Sequence, residues 1–136
     1  MIHTHAKLLG YLGLIPFIVM PFWITWGTVS FFEGFSFFSQ YSAIILSFLG
    51  GVIWLDAIRH EKPISQLYIA MLPSITAWLS ISLLPALSGL IVLFFSYLLL
   101  ILYEFKVMPM ASWYRSLRIR LTTIAMGTHL MMMWLA

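Results

Sequence analysis

The chain of 136 residues contains no cysteine, so disulfides, thiolate metal sites and a cysteine nucleophile are all excluded. It is also poor in charge. Only 8% of its residues are Asp, Glu, Lys or Arg, against about 25% in an average soluble domain. Such a chain cannot coat a water-facing surface. Only four residues are acidic, and Asp56 alone lies inside an apolar run. No phosphate loop, zinc-protease helix, dinucleotide fingerprint or nucleophile elbow is present. Ser47 has no base within reach on its own span.

What is abundant is apolar surface: 62% of residues are hydrophobic and the mean hydropathy is +1.03. The expected fold is an all-α integral membrane protein in a single membrane domain, 1–136. Runs of about 20 apolar residues cross a hydrocarbon core of about 30 Å. They place spans over about 8–28, 38–58, 65–83, 86–103 and 119–135. The first run is too long for the core of a cleaved signal and reads as a retained span. Pro16 and Pro21 should bend it. The aromatic stretch from Ser30 to Ser39 reads as an interfacial connection. Between Pro109 and Leu117, apolar residues at i, i+3, i+4 and i+7 predict a short interfacial helix before the last span.

The seven basic residues, Lys7, Arg59, Lys62, Lys106, Arg115, Arg118 and Arg120, all fall on one side of a five-span arrangement. The positive-inside rule then puts the N-terminus in the cytoplasm of a bacterial inner membrane and the C-terminus outside. Their positions suit anionic lipid rather than nucleic acid.

The second span is the expected packing hub. Ala43, Ser47 and Gly51 recur every four residues, with Gly50 beside them, and small residues let a neighbouring backbone approach. Gly51→Leu should therefore disrupt packing, and Leu46→Phe on the opposing side should matter less. Asp56, Arg59, His60, Glu104, Arg115, Arg118 and Arg120 collect at the basic end as a polar cluster or ligand candidates. Local ion pairing competes there with a role as proton acceptor or ligand group. His129 is the one histidine inside a span and lacks a second histidine at its depth, so no metal or other cofactor is expected. The nearby methionines read as adaptable packing.

Three segments carry a resemblance. YSAIILSFLGGVIW resembles the second-span signature of a domain-of-unknown-function family of small bacterial membrane proteins, a family that includes relatives of eukaryotic transmembrane protein 69. WYRSLRIRLT is similar to its other signature, and LGLIPFI fits near the start. The resemblance implies five spans and an inner-membrane location, and it implies no activity. One departure is visible: Ile53-Trp54-Leu55 stands where a histidine-tryptophan-glycine ending would be expected.

The leading functional expectation is a non-catalytic accessory or assembly subunit. It would pack against a larger membrane complex, a respiratory one among the options, with partner subunits and the bilayer as its contacts. The alternative is a small binding protein or carrier for an apolar ligand such as a quinone, lipid or porphyrin. An enzyme is not expected.

Overall fold

A computed structural model describes residues 1–136. The chain forms six helices and no strand: α1 (Ile2–Leu12), α2 (Ile15–Thr25), α3 (Phe31–Arg59), α4 (Ile64–Ser82), α5 (Ala86–Val107) and α6 (Ser112–Leu135). Four stretches are long and apolar enough to cross a membrane: Ile2–Thr25, which joins α1 and α2, then α3, α4 and α5. Helix α3 borders α2, α4 and α5, while α6 packs on α5, α2 and α1. Phe17, Phe38, Leu46, Ile53, Leu90, Leu93 and Met132 form the centre of the core.

The first stretch starts earlier than the apolar run suggests, and its regular helical bonding is interrupted, although Gly13 and Leu14 both keep right-handed helical dihedrals. The break falls at Gly13–Leu14, ahead of Pro16, which occupies the first turn of α2. Pro16 has no N–H for the carbonyl four residues back, and its fixed φ suits a helix start. The Tyr41 hydroxyl donates to the Gly13 carbonyl at 2.7 Å and ties the break to α3.

The aromatic stretch is not a loop. Helix α3 begins at Phe31, and the Ser30 hydroxyl accepts from the Glu33 backbone N–H at 3.2 Å. Ser30 and Glu33 stand in the spacing of a capping box, with the acid also favoured near the helix N-terminus. The expected separate helix over 109–117 is likewise absent as such. Residues from Ser112 onward belong to one continuous α6, because no glycine or proline lies between Leu117 and Ile119 to stop it.

The hub face also needs correcting. A Cβ built on Gly50 would lie 2.8 Å from the Ala70 carbonyl oxygen and 3.1 Å from Pro73 Cβ, so the backbones of α3 and α4 meet there. Gly51 has nothing within 4 Å and is exposed. Ala43 is buried and Ser47 half-buried, whereas Leu46, expected on the open side, is 0% exposed. The reason is geometric. A strict four-residue step advances about 40° beyond a full turn each time, so two steps from Ala43 carry Gly51 off the face.

Candidate functional site

The basic end holds two polar groups rather than one. In the first, Asp56 Oδ1 lies 3.0 Å from His60 Nδ1, and Oδ2 lies 3.5 Å from Lys62 Nζ. Gln66, buried on α4, donates to Asp56 Oδ2 at 3.0 Å and to the Ile53 carbonyl at 3.1 Å. Lys62 also donates to the Val107 carbonyl at 2.6 Å, which fastens the α3–α4 turn to the C-terminal end of α5. Both carboxylate oxygens of Asp56 thereby have partners.

The second group joins α5 to α6. Arg118 Nε donates to Glu104 Oε1 at 3.2 Å, and Nη2 donates to Oε2 at 2.5 Å. Its Nη1 donates to Thr122 at 2.9 Å. Glu104 is 1% exposed and Arg118 5%. The planar guanidinium fork matches the carboxylate, and the third bond uses a donor that would otherwise be stranded in a dry setting. Of the remaining candidates, Arg59, Arg115 and Arg120 are exposed, and Arg115 lies over the Phe105 ring at 4.5 Å. The cluster envisaged from the sequence thus resolves into Asp56 with His60 and Glu104 with Arg118, and the other three arginines stay outside both.

Deeper in the bundle lies a polar contact among three helices. His129 Nδ1 is 2.7 Å from the Ala125 carbonyl, which can only accept, so Nδ1 carries the proton. Nε2 is then free to accept from the Ser42 hydroxyl at 2.7 Å. Tyr97 donates to the Ser42 carbonyl at 2.6 Å. Ser42 on α3, Tyr97 on α5 and His129 on α6 are all buried, under the rings of Phe17 and Phe38. In outline this is a serine with a base and an orienting acceptor. Ser42 and His129 are each 0% exposed. The contact holds helices together.

A cleft of about 350 Å³ lies beside the Arg118–Glu104 pair and the Ser42–His129 contact, against α1 and α2. Gly13, Leu14 and Phe17 form one wall, Ile45 and Leu49 of α3 another, and Leu117 and Leu121 of α6 a third. Tyr97, Arg118 and Thr122 are among its polar lining residues. The cleft therefore touches the Arg118–Glu104 network and the Ser42–His129 network. Its size falls within the range of about 300–1,000 Å³ usual for small-molecule sites, with the mainly apolar lining such sites have.

The family described as "Protein of unknown function (DUF3429)" matches residues 2–134. The chain belongs to this family. It is also 34% identical, over 127 residues, to "Transmembrane protein 69" of Xenopus tropicalis. That match covers 88% of this chain and 50% of the relative, so the chain spans about half the length of the curated relative. No solved structure matches. Within this DUF3429 chain, the cleft draws most of its lining from LGLIPFI, YSAIILSFLGGVIW and WYRSLRIRLT, the three segments singled out in the sequence.

Sequence reasoning missed Ser42, Tyr97, Lys62, Gln66 and Thr122. Ser42 and His129 are separated by 87 positions, and nothing in either local pattern announces the other. Thr122 did leave a trace: it stands one turn after Arg118 on the face that also carries Ala125 and His129.

Proposed function

We propose that this chain is a small membrane binding protein for an apolar ligand with one polar end, of the quinone, lipid or porphyrin class. The observation that carries the reading is the cleft. Its lining is mainly apolar, and Tyr97, Arg118 and Thr122 are among its polar members. Those polar groups are already held by partners, so they would offer a fixed surface with little ordering cost on binding. The cleft lies beside the interruption between α1 and α2, and an apolar ligand would enter it there from the acyl chains. The test is to purify the protein in mild detergent, extract it with organic solvent and identify what is released. One compound near one mole per mole supports the reading, and an empty protein contradicts it.

The proposal includes five spans, with α6 as the fifth. Support comes from how its residues divide. Arg118, Thr122, Thr128 and His129 turn inward, while Ile119, Ile124, Leu130 and Trp134 face out. Its 24 residues extend about 36 Å, enough for the hydrocarbon core. With the basic residues gathered at one end, the reading is a bacterial inner-membrane protein with its N-terminus in the cytoplasm and its C-terminus outside.

A second reading is the non-catalytic accessory or assembly subunit. It is favoured by the exposed cations Lys7, Arg59, Lys106, Arg115 and Arg120, which make no salt bridge within the chain. They suit an acidic partner surface or anionic headgroups. Affinity purification under mild conditions, with identification of associated chains, tests it. Recovery of the chain alone would remove this reading.

A further inference from the structure

Helix α1 is attached to the bundle differently from the other five. None of its residues is buried, whereas Leu14, Phe17 and Pro21 just beyond it are. It packs on α6, and the seam between the two is thin. His3 stacks on Trp113 with ring centroids 4.1 Å apart. Two turns on, a Cβ built on Gly10 would lie 2.8 Å from Leu121 Cδ1. Ala6 and Gly10 are the half-buried positions of α1, and the rest of the helix is exposed. Side chains so small offer few atoms for the dispersion contacts that hold membrane helices together. A segment with few buried contacts lies at the low-stability end of a protein.

The joint to α2 lacks regular backbone bonds. The Leu14 N–H bonds the Tyr11 carbonyl, three residues back, at 3.1 Å. Pro16 has no N–H for the Leu12 carbonyl. The Gly13 carbonyl accepts from the Tyr41 hydroxyl instead of the Phe17 N–H. Proline and displaced backbone bonds are the usual sites of helix bending. Tyr41 belongs to α3, so the joint is pinned to the bundle while the helix before it is held only by its thin seam. Ala6, Leu9 and Gly10 of α1 line the cleft together with Ile45, Phe48 and Leu49 of α3. The width of the cleft therefore follows the position of α1. We propose that α1 is a hinged lid of the cleft, moving as a unit about Leu12–Pro16 between its docked position on α6 and an undocked one that opens the cleft to the bilayer. Ligand passage rests on the reading of the cleft as a binding site, and the hinge does not.

The experiment uses the full chain in phospholipid nanodiscs. The chain has no cysteine, so introduced thiols are the only ones present. Leu8→Cys with Leu130→Cys places spin labels at exposed positions of α1 and α6, and Val19→Cys with Ile119→Cys does the same for α2 and α6. Pulsed electron resonance should give the first pair a broad or two-component distance distribution and the second pair one narrow component. Gly10→Leu, which sets a side chain against Leu121, should raise the longer component of the first pair and leave the second unchanged. One narrow component for both pairs in the otherwise unaltered chain overturns the hinge. The gate is tested by locking it. A sulfur at 121 takes about the place of Leu121 Cγ, 3.8 Å from the Cβ position of Gly10, so Gly10→Cys and Leu121→Cys can be joined by a small shift. Loaded with a long-tailed benzoquinone, the oxidised protein should release it at least about tenfold more slowly than the same protein after reduction. Equal release from both forms overturns the lid. A protein that takes up no quinone in either form contradicts passage of such a ligand, and the label distances alone then decide the hinge.

Discussion

Arg118 and Glu104 face each other across α5 and α6 with two nitrogens on two oxygens, both residues withdrawn from the surface. Neither can be replaced alone without leaving a charge or a donor unpaired in a dry setting. Removing one partner of a buried pair costs about 3–5 kcal/mol. Glu104→Gln and Arg118→Lys should both lower the thermal midpoint in detergent, the latter because an ammonium cannot reproduce the fork and the bond to Thr122 together. Arg120→Lys, at an exposed position, should change stability by under about 0.5 kcal/mol. Equal tolerance at 118 and 120 would mean that the pair is solvated and contributes little.

The α3–α4 contact discriminates between two adjacent glycines. Gly50→Leu should destabilise by about 1–3 kcal/mol or more, as overpacking commonly does, because even a Cβ meets the Ala70 carbonyl. Gly51→Leu, into open space, should be close to neutral. Denaturation of the two variants side by side checks this, and the reverse order of stability would invalidate the placement of α4.

The orientation has its own test. A reporter fused after Ala136 should report the outer compartment, and one inserted between Arg59 and Pro63 the cytoplasm. If both report the cytoplasm, α6 does not cross and the chain has four spans.

Much of this architecture is legible in the sequence because the bilayer demands long apolar helices and sorts cations to one side. The runs that became α4 and α5 needed no tertiary information. The beginning of α3 was legible too, in Ser30 and Glu33, but the surrounding phenylalanines draw attention to the interface instead. The small-residue stripe misleads at Gly51 because helical periodicity is 3.6, not 4. The pairings are a different matter. Whether Arg118 reaches Asp56 or Glu104 depends on the rotation of α6 against α5, and that is set by side chains such as Leu117, Ala125 and Met132 packing into the core. Asp56 is satisfied by Lys62 and Gln66 across a turn whose geometry no spacing rule gives. The contact between Ser42 and His129 is more remote still, since it needs three helices placed at once.

The most direct measurement of the central claim is ligand occupancy in a protein whose cleft has been filled. Leu49 lines the cleft and is half-buried, so Leu49→Trp should occupy part of the space of about 350 Å³. Leu102, exposed on α5 and outside the cleft, provides the control Leu102→Trp. Each variant is purified alongside the wild type, checked for an unchanged thermal midpoint, and extracted for bound small molecules. The account predicts one apolar compound near one mole per mole in the wild type and Leu102→Trp, falling at least about tenfold in Leu49→Trp, which corresponds to about 1.4 kcal/mol of binding. The same compound at undiminished occupancy in a folded Leu49→Trp protein, or no compound in any of the three, would contradict it.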